Sequence, residues 1–497
     1  MIGKSVRLAM LVCAGSCMIG LAMAQDPSDL LFRQRIAEAW AASSDHRPAV
    51  ADRLLDAVIV DARFESLPVN DQVPLLSRAA FAAWQNNRLD VASDRYARIG
   101  QLGSDDPDDW YRMALVSYAR SDFDAAARAM AIFIGRWPEL LPNLDADVLF
   151  SLMFNGDTAS QDRIAYYQAL FDSNWDGGSA GTLGAAWFRL ARTRLEQGDV
   201  DGARIVARRI QEPEVLLSMR ADRRFDAVLD HAGWRANISN AAERQVDRMR
   251  GRTLAHPRSL DAMAQLGYAL LLVGRHEDVI ALSDATAARI AAAGLDDPPY
   301  ADPHNQAWLM NNKSIALERM GRIDEAREEL ARASHIGGRG GSNVGQSLNL
   351  GQMYCSLGDA AAAGAAISGV ASNETSNYGK AVAAKIRHCI ARLEGDQDAE
   401  TGALVELEAL QADAPITYLK ALLESHQSER AVDLARELLD SPEKRTSMLD
   451  WAQECRLPPP LPQAVAFREK VKAFLAREDI LRAINAVGRI ESYDIYC

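Results

Sequence analysis

A chain of 497 residues is several times the length of a typical domain, so it is either several domains or one elongated array. It is 48% hydrophobic and 25% charged, a balance that excludes wholesale disorder. The net charge of −13 gives no overall attraction for nucleic acid or anionic lipid, and excludes both as general partners.

Residues 1–24 read as a secretory signal: Lys4 and Arg7, an apolar run from Leu8 to Leu21, then Ala22-Met23-Ala24 before Gln25. The run is shorter than the ~20 residues of a spanning helix, and no later stretch qualifies. Cleavage removes two cations and no acid, taking the net charge from −13 to −15. The expected location is therefore periplasmic or secreted. Ala14-Gly15-Ser16-Cys17 is a loose lipobox with Ala14 where Leu is usual, so an outer-membrane lipoprotein anchored through Cys17 is the weaker alternative.

After a short stretch at 25–70, expected to form an N-terminal helical cap, self-similarity sets the organisation. Leu76, Ala80, Asn87, Ala92 and Tyr96 return thirty-four residues later as Trp110, Ala114, Ser121, Ala126 and Met130, followed by Pro138. Counting from first residues near 73, 107, 184, 260, 307 and 344, small residues fall at positions 8 and 20 and turn residues near 15. Trp187, Leu190, Ala191, Gly198 and Ala203 make one further member, and Met263, Leu266, Gly267, Gly274 and Val279 another. Ser314, Gly321, Ala326 and Ala333, then Leu350, Gly351, Tyr354, Gly358, Ala363 and Ile367, complete the series. Small residues at 8 and 20 let two antiparallel helices approach, and glycine near 15 ends the first helix in a left-handed conformation.

Over roughly residues 70–372 this pattern resembles the tetratricopeptide repeat family. The resemblance implies an all-α superhelix of helix-turn-helix repeats at 71–372, with irregular insertions. Two intervals are about twice the period and have room for a diverged helical hairpin each. RADRRFDAVLDHAGWRANI, at 220–238, resembles the helical segment that often ends a group of such repeats. Residues 373–440 read as diverged hairpins. In 441–497 a Pro-rich linker around Pro458-Pro459-Pro460 leaves the helix, and one last amphipathic helix, FREKVKAFLAREDILRAINAVGRI, caps the stack.

No catalytic spacing emerges. The eight histidines form no HExxH or close pair, and GxSxG and GxxxxGK[ST] are absent, so neither an enzyme, a metal site nor a cofactor is expected. The run Gly337-Gly338-Arg339-Gly340-Gly341-Ser342-Asn343 follows a helix rather than a strand, and reads as a linker in which Ser342 or Asn343 caps the next helix.

In the family, position 6 tends to face the concave groove. Here it carries Arg112 and Arg189, then Gln265, Asn312 and Asn349. A ladder of amides can hold an extended peptide backbone, while guanidinium groups pair with carboxylates. The expected function is a non-catalytic scaffold of the bacterial cell envelope that binds a protein or peptide in this groove. The alternative is a carbohydrate-binding adaptor in polysaccharide export, against which Trp110 and Trp187 fall at the interior position 4 and read as core. Of the four cysteines past the signal, Cys455 and Cys497 lie in irregular or terminal segments and are the candidate disulfide; a Cys355–Cys389 bond demands converging helices.

Overall fold

The computed structural model describes residues 27–45, 47–154, 160–175, 177, 183–293, 298–337, 343–370 and 375–496. The secretory signal with Cys17 and the core of the Gly-rich run at 338–342 lie outside the described residues. The described part is an all-helical array of antiparallel helix-turn-helix hairpins, and it falls into two compact units, Met1–Thr193 and Arg194–Cys497.

The first unit runs α1 Pro27–Ser44, α2 Pro48–Ile59, α3 Val69–Gln85, α4 Leu89–Gln101, α5 Pro107–Ala119, α6 Phe123–Arg136, α7 Ala146–Phe154, α8 Gln161–Asp172 and most of α9, Gly184–Glu196. In the second unit come α10 Val200–Ala207, α11 Pro213–Ala221, α12 Ile238–Ala255, α13 Leu260–Leu272, α14 His276–Ala292, α15 Gln306–Arg319 and α16 Ile323–Ala333. It continues with α17 Val344–Leu357, α18 Ala360–Ile367, α19 Asn377–Glu394, α20 Gln397–Ala409, α21 Pro415–Glu424 and α22 Ser428–Asp440. Three further helices close the chain: α23 Arg445–Trp451, α24 Ala464–Leu475 and α25 Glu478–Val487. The two double intervals hold helices, α7 and α8 in one, α11 and α12 in the other.

Backbone conformation confirms the register. Asn87, Ser121, Gly198, Gly274, Gly321 and Gly358, the six position-15 residues, all have positive φ, between 60° and 86°. Gly395 and His426 share that conformation between α19 and α20 and between α21 and α22, so the repeat continues through the stretch where its side-chain pattern fades. Positions 8 and 20 meet in the seam. Ala80, Ala191, Ala92, Ala126, Ala203 and Ala326 are fully buried. The Ser314 hydroxyl donates to the Ala326 carbonyl at 2.7 Å. A Cβ added at Gly351 would stand 2.9 Å from Cγ2 of Ile367, so glycine there is a requirement of close approach.

The C-terminal part departs from expectation in two ways. Its last amphipathic stretch is two helices, because Arg477 adopts an extended backbone (φ −62°, ψ 135°) that breaks the helix between α24 and α25. The chain then returns to the beginning of its own unit. Arg489 N–H donates to the Ala221 carbonyl at 2.9 Å, and Asp222 and Gly488 form an isolated antiparallel bridge. Arg220 grips Glu491 with two bonds of 2.7 and 2.9 Å. Tyr496 N–H reaches the Leu272 carbonyl at the end of α13 (2.9 Å). The non-helical residues 455–461 lead to Gln463, whose N–H donates to the Ser356 carbonyl near the end of α17 (3.0 Å). Below this return, Leu422, Leu438, Met448, Leu449, Ile480 and Ile484 belong to one buried apolar cluster.

Candidate functional site

Position 6 is built differently in the two units. In the first unit it carries Arg78 on α3 and Arg112 on α5. The Arg78 guanidinium lies 3.8 Å from the ring centre of Trp40 on α1 and donates to the Ser43 hydroxyl at 3.2 Å. Arg112 lies 4.6 Å from the ring centre of Phe81 on α3 and pairs with Asp108 at 2.8 Å. Each cation thus stacks on an aromatic side chain of the preceding first helix, the geometry in which a ring quadrupole attracts positive charge. Burial, together with the nearby Arg112 charge, lowers the affinity of Arg78 for its proton. Trp40 is 38% exposed, so the row reaches solvent. Arg189 on α9 donates to the Met153 carbonyl of α7 (2.8 Å) and to the Tyr167 hydroxyl of α8 (3.1 Å).

In the second unit the amides tie helices together. The Asn312 Nδ2 donates to the Ala264 carbonyl of α13 at 2.8 Å, and its residue is buried. Asn349 donates to Oδ1 of Asn311 on α15 at 3.0 Å and to Oε1 of Gln346 at 3.3 Å. Gln265 donates to Asp261 (2.8 Å) and accepts from Arg252 of α12 (3.1 Å). Each of the three amides thus makes hydrogen bonds within the array, Asn312 and Asn349 to the preceding repeat and Gln265 to Asp261 and Arg252. Arg78, missed from the sequence, stands in the same register, five residues after Val73; the signal was there.

A pocket of about 430 Å³ opens among α17, α19, α21 and α24. Lys385 and Arg392 reach it from α19, Lys420 and Glu424 from α21, and Lys470 from α24, beside Val382, Ile386 and Phe467. Cys355 and Cys389 form one wall and are joined in a disulfide, their Cα atoms 6.2 Å apart. This corrects the expectation that disfavoured the pair: α17 and α19 approach each other within disulfide range at these residues. Glu424 accepts from Lys385 at 2.7 Å and Arg392 at 3.1 Å. Burial would raise its pKa, but Lys385 and His388 hold the carboxyl down to about 2. Burial and the Lys385 charge push the Lys420 ammonium below its ordinary value. No sequence signal marked this cluster, because its cations come from three separated helices.

Other expected features find their places. Trp110 and Trp187 are buried at 8% and 4% exposure, with the Trp110 indole N–H donating to the Ser104 carbonyl. Asn343 caps α17, its side chain accepting from the Gln346 N–H. Cys455 is not a free thiol, and its candidate partner Cys497 lies outside the described residues. Among the described residues no group of His, Cys, Asp and Glu could hold a metal, and no helix is long and apolar enough to cross a membrane.

No protein-family model matches the chain. No curated protein sequence matches it either. Among solved structures it is similar to a chain in the crystal structure of the APC/C hetero-tetramer Cut9-Hcn1, at 12% identity and a TM-score of 0.30, covering 90% of this chain and 88% of that one. It is also similar to a chain in the structure of Naa15/Naa10 bound to HypK-THB, at 14% identity and a TM-score of 0.22, covering 92% and 82%.

Proposed function

We propose that this protein is a non-catalytic scaffold of the bacterial cell envelope that binds a segment of a partner protein along the first helices of its repeats. One observation carries the reading: Trp40, Arg78, Phe81 and Arg112 form a row of aromatic and guanidinium groups on α1, α3 and α5. Trp and Arg are enriched among the residues that dominate protein interfaces, since each offers a large contact area with a polar handle. Two guanidinium groups near one another also favour a partner segment that brings carboxylates. Arg189, Gln265, Asn312 and Asn349 extend the proposed surface only through what their contacts within the array leave available. The envelope location is supported by the N-terminal sequence and by the Cys355–Cys389 disulfide, a bond suited to an oxidising compartment. The carbohydrate reading draws no support from Trp110 and Trp187, both buried.

Crosslinking in the native envelope, followed by isolation of the chain, tests the proposal. A protein partner should co-purify, and Arg78→Ala with Arg112→Ala should weaken its binding at least tenfold, as loss of interface arginines does. Recovery of the chain with no enriched protein, or undiminished binding by the double variant, would overturn it.

A further inference from the structure

Four cations line the pocket of the second unit and one carboxylate answers them, in a chain whose overall charge is −13. Glu424 is committed to Lys385 and Arg392. Lys420 has no hydrogen bond or ion pair among the described residues. Lys470 meets only the Glu424 carbonyl and the His426 ring, each at 3.2 Å, and no carboxylate. Two positive charges on facing helices, α21 and α24, therefore make no carboxylate contact inside a partly enclosed space and share the one Glu424 charge with Lys385 and Arg392. Such charges are costly to desolvate unless an anion joins them.

We propose that this pocket is a binding site for a small organic dianion, a dicarboxylate or a phosphate monoester, bracketed by Lys420 and Lys470. Its size is within the ~300–1,000 Å³ range of small-ligand sites. The two ammonium groups match two negative charges. Val382, Ile386, Phe467 and the Cys355–Cys389 disulfide offer an apolar wall to the carbon body of the ligand. Because Lys470 belongs to α24 and Lys420 to α21, a bound dianion bridges the returning C-terminal part to the repeats. The site is separate from the aromatic and guanidinium row proposed for protein binding, and either reading can fail alone.

Titration calorimetry and thermal unfolding of the whole purified chain, at pH 7.5 and matched ionic strength, test the site. Succinate and inorganic phosphate are the dianionic probes; acetate and chloride are the monoanionic controls. Saturable binding of succinate or phosphate with a raised Tm is expected, the tighter probe telling carboxylate from phosphate. Lys420→Gln with Lys470→Gln should weaken that binding roughly tenfold or more, because charge-assisted contacts are lost. Lys472→Gln, an exposed cation of α24 outside the pocket, should leave it unchanged. The proposal is overturned by equal responses to acetate, chloride and the dianions, by undiminished binding in the double variant, or by a hexaglutamate peptide binding where neither small dianion does.

Discussion

The two units use one register to different ends. In the first, Arg78 and Arg112 at position 6 lie on the aromatic rings of Trp40 and Phe81, while Arg189 bonds to the Met153 carbonyl and the Tyr167 hydroxyl. In the second, Asn312 and Asn349 are amides bonded to the preceding repeat, at Ala264 and Asn311, while Gln265 donates to Asp261 of its own helix and accepts from Arg252 of α12. The turns differ too: Asn87 and Ser121 take the left-handed conformation in the first unit, whereas glycine takes it at 198, 274, 321, 358 and 395 in the second. The second unit has its last described residues folded back on its start, through Arg489 with Ala221 and Arg220 with Glu491. Arg78 and Arg112 are half-buried and keep part of their surface in water, whereas Asn312 is buried and Gln265 and Asn349 are half-buried.

The largest effect should come from the returning segment. Leu449 of α23 is fully buried in the cluster beneath it, and Leu449→Ala should cost about 2–5 kcal/mol of stability by urea unfolding. A cost near zero would mean that the return contributes little to the second unit. Next, Cys355→Ser removes a bridge spanning 34 residues, with an expected loss of about 2–4 kcal/mol. The same variant in reducing buffer should show no further loss.

A pH effect follows at the contact between α11 and α23. Burial raises the Asp450 carboxyl to about 7 against the opposing bond from Ser218, and the Asp222 charge adds to the rise. Below about pH 4 the carboxyl is protonated folded or unfolded and contributes nothing. Between about 4 and 7 only the unfolded chain releases the proton, so Asp450 lowers stability as pH rises, by at most about 1.4 kcal/mol per pH unit, and the penalty is flat above 7. Asp450→Asn should therefore gain on the parent protein between pH 4 and 7 in parallel unfolding curves; a constant difference would sink the assignment.

Position 6 itself gives a smaller contrast. Asn312→Ala leaves the buried Ala264 carbonyl without this donor and should cost about 1–3 kcal/mol. Arg112→Ala, part-exposed, should cost about 0.5–1 kcal/mol. The reverse order would break the distinction between the units. Similar in size, Ser121→Gly relieves a left-handed serine at φ 62° and should raise stability by about 1 kcal/mol, whereas the same φ in the second unit is already served by glycine at most turns.

How much of this was legible follows from the range of each interaction. Helices, their seams and their turns depend on residues within one repeat, so Ala80 with Ala92, or Ser314 with Ala326, could be paired from spacing alone. The hairpin around His426 lies in the stretch read as diverged hairpins, and its turn takes the same left-handed backbone without glycine, as at Asn87 and Ser121. The break at Arg477 was hidden by an apolar period that runs through it. As for the candidate sites, the register identified Arg112, Arg189, Gln265, Asn312 and Asn349 as a row, but not where their polar atoms point.

The sequence by itself determined an all-helical repeat array, its register, and the polar character of position 6, because these rest on local periodicity and on the conformational needs of single residues. Only the tertiary structure decided that the amides hold neighbouring repeats, that Cys355 bonds Cys389, that four cations share a pocket with Glu424, and that the chain returns to Ala221. Each of these joins residues of different repeats or helices, up to some 270 positions apart for Arg220 and Glu491, and no local pattern encodes which of many equivalent surfaces will meet.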